Sequence, residues 1–385
     1  MSTPLPSRAD VVVVGGGVMG TSIAFHLAEA GVRDVVLVER DSLGSGSTCK
    51  AAGGVRANFS DRLNIALGAR SLDLFHQFAE RPGQEIDLRT PGYLFLLSRP
   101  EDVALFEAST TLQNEAGLPT RMISPAEAHR LSPLISTDGL LAACFSPSDG
   151  HCTPESVVLG YAAAARRLGA VLRTGCEVLD IDAVGNEIRR VVTNQGVIET
   201  STVICVAGAW SASVAAMAGV ELPVTPLKRQ VLITEAIPGL PPELPMTIDF
   251  SSSFYFHGEG QGLLLGMSDP DQPPGFDLAQ TDTWLPGLTS AMERRAPAIL
   301  DAGVASGWAG LYEITPDHNA LIGEAEGVNR LLYATGFSGH GFLQGPAVGE
   351  VIRDLYLGRT PFVDVTPLDV RRFHNTTQRR ELNVV

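Results

Sequence analysis

The chain opens with an alternation of apolar and glycine-rich segments. Residues 11–14 are four consecutive valines, which is typical of a strand buried in a parallel sheet. Glycines dominate residues 15–20, and apolar residues then recur at every fourth position, which predicts a helix. A second apolar run at 35–38 predicts the next strand. The pattern therefore indicates a βαβ unit at the start of the chain.

This unit carries a dinucleotide-binding fingerprint, G-x-G-x-x-G followed by an acidic residue. Gly15 permits the tight turn, Gly17 lets the backbone approach a pyrophosphate, and Gly20 lets the helix pack against the strand. Free N–H groups at the helix start attract the phosphates. Glu39 ends the second strand and is expected to bind a ribose diol, which disfavours a 2′-phosphate. The structural alternative is a glycine-rich turn beside a surface glutamate.

Later patterns predict a second region that is rich in antiparallel strands. Strands are predicted at 92–97, 203–206, 230–234, 254–256, 263–266 and 331–335, helices at 61–80, 102–116 and 154–168, and a hairpin at 176–193. Ser124 before Pro125 predicts one more helix start. The sequence therefore predicts an α/β fold, with a Rossmann-like domain and an α+β domain that contains an antiparallel sheet.

Composition narrows the class of protein. A chain of 385 residues with 44% hydrophobic and 18% charged residues is expected to form two or three globular domains. The net charge of −15 argues against nucleic-acid binding. Five cysteines without a C-x-x-C pair argue against a disulfide framework or a zinc ribbon, and no other metal-ligand spacing or G-x-S-x-G elbow occurs. No signal peptide or membrane-length apolar run is found, so we expect a cytoplasmic protein.

Residues 40–56 form a long loop of small, polar residues that suits an extended cofactor bearing a flavin ring. This loop, the fingerprint and the segments 310–317 and 331–342 resemble the D-amino-acid oxidase-like FAD-dependent oxidoreductases. Within that family the chain is most similar to the branch of the sarcosine oxidase β-subunit, dimethylglycine dehydrogenase and the proline dehydrogenase β-subunit. The resemblance spans nearly the whole chain.

The resemblance implies a bound FAD and a discontinuous FAD-binding domain at 1–90, 146–220 and 308–385. It implies a substrate domain at 91–145 and 221–307. FAD is expected to be non-covalent, because Gly310 stands where monomeric sarcosine oxidases have the attaching cysteine. The fingerprint and the resemblance together give these cofactor-binding candidates: Gly15, Gly17, Val18, Met19, Gly20, Glu39, Arg40, Ser45, Ser47, Thr48, Ala52, Gly53, Val178, Ala207, Gly208, Trp210, Gly336, Gly339, His340, Gly341 and Phe342.

An arginine is expected to bind the substrate carboxylate, because its planar fork forms two parallel charge-assisted hydrogen bonds. Arg56 resembles the substrate arginine of sarcosine oxidase, and Arg229 and Arg62 are the alternatives. Tyr312 stands where glycine oxidase and D-amino-acid oxidase have a carboxylate-binding arginine. The resemblance implies that Tyr312 lines the active site; a plain core tyrosine is the alternative.

The family also places aromatic residues over the substrate, on the strand that contains Tyr255 and His257. An ordinary sheet with one wet face is the alternative explanation of that strand. The resemblance implies that the turn at 336–342 directs its amides and the following helix start at the flavin, where they would stabilise the reduced ring. His340 lies in this turn and is implied to contact the cofactor; a structural histidine is the alternative.

The positions of the lysines help to predict whether oxygen or another molecule accepts the electrons. Leu264 stands where monomeric sarcosine oxidase has its oxygen-activating lysine, so a dehydrogenase is favoured over an oxidase. Pro154 stands where the heterotetrameric relatives attach a second flavin through histidine. The sequence contains only two lysines, Lys50 and Lys228, and Lys50 is expected to contact the cofactor or the backbone.

The resemblance implies an enzyme that oxidises the C–N bond of a small amino acid or N-methyl amino acid, by hydride transfer to flavin and hydrolysis of the imine. An electron-acceptor protein or partner subunits are possible partners. Two alternatives stay open at this point: a 2-hydroxy-acid dehydrogenase on the same fold, and a non-catalytic electron-relay subunit of a larger dehydrogenase.

Overall fold

The computed structural model describes residues 4–374 and 380–383. The helices are α1 (Val18–Glu29), α2 (Arg62–His76), α3 (Pro100–Glu115), α4 (Pro125–Leu131), α5 (Pro154–Arg167), α6 (Ser211–Ala216), α7 (Leu285–Arg295) and α8 (Gly341–Tyr356). The strands are β1 (Val11–Val14), β2 (Val35–Val38), β3 (Gly54–Val55), β4 (Tyr93–Leu97), β5 (Arg121–Ile123), β6 (Ala142–Ser146), β7 (Gly150–His151), β8 (Val171–Arg173), β9 (Val178–Val184), β10 (Glu187–Thr193), β11 (Gly196–Glu199), β12 (Val203–Cys205), β13 (Thr225–Thr234), β14 (Met246–Asp249), β15 (Phe254–Glu259), β16 (Gly262–Gly266), β17 (Val304–Ile314), β18 (Leu321–Glu324) and β19 (Leu331–Thr335).

A six-stranded sheet with the order β18-β19-β12-β1-β2-β8 holds the predicted βαβ unit. Its strands are parallel except for β18, which runs antiparallel to β19. Val11 and Val13 pack on one face with residues of α1, α5 and α8, and Val12 and Val14 pack on the other with residues of β9–β11. Burial of both faces explains why β1 and β2 are uninterrupted valine and leucine.

The position of β1 within this sheet makes a binding crevice. The chain passes from β1 to β2 on one side, whereas β12 pairs with β1 on the other. Strand order therefore reverses at β1, and in open α/β sheets ligands bind beyond the carboxyl ends of strands at such a reversal.

An eight-stranded sheet with the order β17-β13-β16-β15-β14-β4-β6-β5 lies beside this crevice. All neighbours are antiparallel except β14 and β4. Phe254 and Phe256 on one face of β15 pack with residues of α7, whereas Tyr255 on the other face packs toward β4. This arrangement confirms the mixed α/β fold with an antiparallel second sheet.

Several element boundaries differ from the sequence prediction. Helix α2 ends at His76 rather than at residue 80, and Asp61 caps its start by accepting hydrogen bonds from Leu63 and Asn64. Strand β17 runs across the predicted boundary at residue 308, so the division into domains stays a prediction. Within residues 4–374 and 380–383, no helix is both long and apolar enough to cross a bilayer.

Candidate active site

A cavity of about 700 Å³ extends from the carboxyl ends of β1 and β2 to the start of α8 and the face of the eight-stranded sheet. Backbone and side chains of residues 14–19, the loop at 38–54, the turn at 206–210 and strands β13, β15 and β17 line it. Among the predicted cofactor-binding residues, Gly20 and Gly336 lie outside the lining and the others are in it. One cavity thus brings together motifs that lie more than 300 residues apart in the sequence.

The β1–α1 turn is shaped by contacts that only glycine allows. A Cβ on Gly15 would lie 2.4 Å from the Val206 carbonyl oxygen, and one on Gly20 would lie 1.8 Å from the Gly15 carbonyl oxygen. Gly20 therefore has the packing role that the fingerprint predicts, without lining the cavity. Gly17 caps α1 with no side-chain hydrogen bond, and no acidic residue lies in the first turn. Val18 N donates to Thr48 Oγ1 at 3.1 Å, so the helix start presents its later first-turn N–H groups and the positive end of its dipole to the cavity.

Glu39 is fixed at the end of β2 by two backbone groups. Its Oε2 accepts a hydrogen bond from Gly16 N at 2.7 Å, and its Oε1 accepts one from Asp41 N at 2.8 Å. Each carboxylate oxygen keeps a further lone pair, which is the acceptor capacity that a ribose diol needs. Beside it the Arg40 guanidinium lies 4.1 Å from the centroid of a Trp210 ring, which forms a flat cationic–aromatic surface at this end of the cavity.

The loop at residues 40–54 is attached to β17 by hydrogen bonds from both sides. Ser47 Oγ donates to the Leu311 carbonyl oxygen at 2.6 Å, and Trp308 Nε1 donates to the Lys50 carbonyl oxygen at 3.0 Å. A Cβ on Gly310 would lie 2.9 Å from the Lys50 Cβ. Gly310 is therefore a close-packing position, and a cysteine side chain there would collide with this loop.

The turn before α8 is anchored by Glu313, which the sequence analysis did not select. Its carboxylate accepts a hydrogen bond from Thr335 Oγ1 at 2.9 Å and bonds from the N–H groups of Gly336 and Phe337. Burial nonetheless raises the pKa of Glu313 to about 6. Glu313 lines the cavity beside Gly341. A charged residue inside a strand that is rich in apolar residues was the sequence signal that could have identified Glu313.

Gly336 lies outside the cavity lining, and its role as a cofactor-binding residue stays a prediction. It adopts a φ of 70°, and a Cβ there would lie 2.4 Å from Thr315 Cγ2. Its role is therefore to shape the turn behind the cavity wall, because the positive φ and the contact with Thr315 both require glycine. Gly339, His340, Gly341 and Phe342 of the same turn do line the cavity.

Arg56 is buried at the α8 end of the cavity with most of its donors bound to the protein. Its guanidinium donates to the carbonyl oxygen of Asn58, to the carbonyl oxygen of Asn383 at 2.7 Å, and contacts His340 Nε2 at 3.0 Å. Burial lowers the pKa of Arg56. Its guanidinium carbon lies 4.5 Å from the centroid of the Phe59 ring. The segment 380–383 is therefore part of the site, which sequence patterns alone could not show.

His340 is neutral in this environment. Burial and the Arg56 charge lower its pKa well below the usual value. Because Nε2 faces an obligate donor, the ring proton is assigned to Nδ1. His340 therefore links Arg56 to the cavity wall as a neutral acceptor.

Three tyrosines form the wall between the loop and the eight-stranded sheet: Tyr93, Tyr255 and Tyr312. Tyr255 and Tyr312 are predicted residues, and Tyr93 is one that the sequence analysis used only to place a strand. Glycines make room for the rings, since a Cβ on Gly266 would lie 2.2 Å from Tyr255 and one on Gly339 would lie 2.5 Å from Tyr312. Burial raises the pKa of all three hydroxyls, so they act as neutral hydrogen-bonding groups.

The structure places His257 behind the cavity wall. Its Nε2 lies 3.0 Å from the Ala52 carbonyl oxygen, and its ring packs at a tilt against His151 with a centroid distance of 4.6 Å. Burial lowers the pKa of His257 to about 4. Two residues beyond Tyr255, the strand has already passed beneath the loop, so His257 supports Ala52 and does not reach the space beside Tyr255. The expectation that His257 faces a substrate gains no support from this placement and stays a prediction.

The two alternative arginines have different surroundings. Arg62 lies on the surface, where its side chain is 67% exposed and pairs with Glu115. Arg229 lines the cavity, with its guanidinium carbon 5.2 Å from the centroid of the Tyr312 ring. Arg229 is therefore the second guanidinium of the site, and Arg62 belongs to the solvent-exposed surface.

Comparison with known proteins agrees with this geometry. The family model for FAD dependent oxidoreductases matches residues 10–355. Mitochondrial dimethylglycine dehydrogenase of Rattus norvegicus is 32% identical over 97% of this chain and 46% of its own length, so the chain spans less than half of that relative. The structure of L-proline dehydrogenase from P. horikoshii is 35% identical with a TM-score of 0.91, over 97% of this chain and 100% of that one. The structure of glycine oxidase from Geobacillus kaustophilus is 27% identical with a TM-score of 0.84, over 95% of this chain and 99% of that one. The chain belongs to the family of FAD-dependent oxidoreductases.

Proposed function

We propose that the protein oxidises the C–N bond of a small amino acid or N-methyl amino acid, with FAD as the electron acceptor. The observation that carries the proposal is the single cavity that joins the glycine turn of β1–α1 to an end lined by arginine and tyrosine. Similarity to enzymes named for dimethylglycine, proline and glycine supports the choice of substrate class.

The residues present fit FAD. The Gly15–Gly17 turn and the start of α1 would hold the pyrophosphate, Glu39 the ribose, and the Gly339–Phe342 turn the flavin ring. When bound, FAD supplies a ring that accepts a hydride. We propose that binding is non-covalent, because Gly310 leaves no room for a side chain and burial raises the pKa of the nearby Cys49 thiol to about 12. Acid precipitation is expected to release the flavin completely.

The side chains of the substrate end would orient the amino acid and control its protonation. We propose that Arg56 uses its remaining N–H donors for the carboxylate, while Tyr255 and Tyr312 enclose the carbon chain. The positive charges of Arg56 and Arg229 disfavour an ammonium group, so the amine is expected to bind in its neutral form. With His340 neutral as well, the site selects and orients the reactive amine without a strong base.

The electron acceptor and the compartment are further parts of the proposal. Leu264 is buried on β16 and supplies no charge to the cavity, so we propose a dehydrogenase that passes electrons to a partner protein or subunit. All five cysteines are unpaired, which supports a reducing compartment such as the cytoplasm. Reoxidation by an artificial dye is expected to exceed reoxidation by oxygen.

Anaerobic mixing of the FAD-loaded protein with a panel of amines tests the function. Loss of flavin absorbance with an amino acid or N-methyl amino acid, together with release of aldehyde, ammonia or a cyclic imine, is the expected result. Reduction by 2-hydroxy acids only would contradict the proposal, and so would no reduction by any member of a broad panel.

A further inference from the structure

Strand β13 presents Arg229 to the cavity and its two neighbours to the opposite side. Lys228 Nζ donates to the Ala279 carbonyl oxygen at 2.8 Å, and Gln230 Oε1 accepts a hydrogen bond from Thr281 N at 2.9 Å. These bonds hold the segment 277–281 against the strand. Because successive side chains of a strand alternate between faces, the fixed neighbours direct Arg229 inward. Its position is therefore determined by the sheet.

The Arg229 guanidinium is poorly satisfied by the protein. Its hydrogen bond is from Nη1 to the Lys228 carbonyl oxygen at 3.2 Å. Its Nε is buried and has no hydrogen-bond partner. Within residues 4–374 and 380–383, no carboxylate lies within 4 Å of it, and Asp269 acts on it only from a greater distance. A partly buried charge without a carboxylate partner is costly, so this arrangement favours an anion that the chain itself does not supply.

Arg295 shows how this chain satisfies a buried arginine that has a structural role. Its guanidinium pairs with Asp249 at 3.3 Å and also donates to the carbonyl oxygens of Ser136 and Asp138 and to Ser98 Oγ. The side chain is 2% exposed and lies outside the cavity lining. The difference from Arg229 indicates that Arg229 is held for a ligand.

Arg56 and Arg229 occupy different parts of the wall. Arg56 packs against Phe59 and donates to Asn58 and Asn383, whereas Arg229 lies against the Tyr312 ring. The positive charges of Arg56 and Arg229 both lower the pKa of Tyr312, against the larger opposite effect of burial. The cavity therefore offers two separate cationic positions around one tyrosine.

We infer that Arg229 forms a second anion-binding subsite and that the substrate is an amino acid with a second carboxylate. This inference rests on the proposed function. The α-carboxylate would bind Arg56, the amine would lie against the flavin ring, and the second carboxylate would bind Arg229. The neutral hydroxyl of Tyr312 lies beside the same subsite and can donate a hydrogen bond to the second carboxylate.

Anaerobic flavin reduction with matched substrates tests the inference on the FAD-loaded protein. N-methylaspartate and N-methylglutamate are compared with sarcosine and N-methylalanine. The wild-type protein is expected to favour a dicarboxylate by at least about tenfold in kcat/KM, and Arg229→Gln is expected to lose about 10- to 100-fold toward dicarboxylates alone. Arg229→Lys, which keeps the charge, should retain part of the preference. Arg189→Gln, on the exposed face of β10, is the control and should leave both classes unchanged.

Two measurements without turnover separate a binding role from a structural one. Titration with succinate or glutarate should perturb the flavin absorbance of the wild-type protein, and Arg229→Gln should weaken that binding about 10- to 100-fold. Arg229→Gln should keep or raise the Tm because it removes a partly buried charge that has no carboxylate partner, whereas Arg295→Gln should lower it.

The outcomes distinguish the inference from the proposed function. An equal loss toward monocarboxylates and dicarboxylates, no wild-type preference, or a lower Tm without a selective effect would overturn the second subsite. If no amine reduces the flavin but succinate binding still depends on Arg229, the proposed function fails and the anion subsite stands.

Discussion

At the β1–α1 end of the cavity, the backbone of the β1–α1 turn makes much of the wall, and Glu39 and Arg40 are the charged side chains beside it. At the α8 end, side chains from widely separated parts of the chain make the wall, among them Arg56, Arg229, Tyr312 and His340. The first end depends on where a side chain is absent, because Gly15 and Gly20 allow backbone contacts that a Cβ would prevent. The second end depends on which side chains are present. Under the proposed function, the first end would hold the pyrophosphate and ribose of FAD, and the second end would hold the flavin ring and select the substrate.

Breaking the glycine end should have the largest effect. A valine at Gly20 would place its Cβ 1.8 Å from the Gly15 carbonyl oxygen, so Gly20→Val must separate α1 from the turn. We expect it to abolish FAD binding, with at least about a 100-fold loss of affinity, since both the helix start and the backbone donors move. Flavin content after purification and fluorescence titration of the apoprotein with FAD measure this.

Gly258→Ala is the matched control for that experiment. No atom lies within 4 Å of a Cβ at Gly258, and its φ is not in the left-handed region. It should bind FAD normally. Normal flavin content in Gly20→Val would show that the fingerprint turn does not hold the cofactor.

The sequence predicted the first end far better than the second for a physical reason. Turn geometry and helix starts are local, so the spacing of Gly15, Gly17 and Gly20 is enough to predict them. The partners of Arg56 are long-range: Asn383 lies 327 residues away and His340 lies 284 residues away. Strand alternation predicted that Tyr255 and His257 share a face, but not that the loop at Ala52 would separate them.

Removing the charge of Arg56 should have the next largest effect, and at the other end of the cavity. Arg56→Ala is expected to raise the KM for carboxylate substrates about 100-fold, because a charge-assisted contact from its remaining N–H donors is lost. FAD content should stay unchanged, since the β1–α1 turn, Glu39 and the glycines of the turn before α8 all remain. Stopped-flow flavin reduction across substrate concentrations separates KM from the limiting rate.

Arg62→Ala provides the comparison for Arg56→Ala. Arg62 lies on the surface in an ion pair with Glu115, six positions along the chain from Arg56. Its replacement should leave KM within about twofold, because exposed ion pairs contribute little. An unchanged KM in Arg56→Ala would remove Arg56 from the substrate site and leave Arg229 as the candidate for binding the carboxylate.

Glu313 should give the smallest of these effects, and it tests how the α8 turn is held. Burial raises its folded-state pKa from 4.5 to about 6, so the native state binds this proton more tightly than the unfolded state does. The Glu313 contribution to stability is therefore complete below pH 4.5 and decreases as the pH rises through 6. The decrease amounts to at most about 2 kcal/mol. Glu313→Gln carries no such proton, so its unfolding free energy should lack this part of the pH dependence.

Denaturant unfolding of the apoprotein between pH 4 and pH 8 measures the difference, with Glu243→Gln on the surface as the control. Above pH 7, Glu313→Gln should match or exceed the wild type, provided that its amide oxygen keeps the Thr335 or Gly336 hydrogen bond. Identical pH profiles for Glu313→Gln and the wild type would mean that the carboxylate is solvated through the cavity. In that case the turn before α8 would depend, like the β1–α1 turn, on its glycines alone.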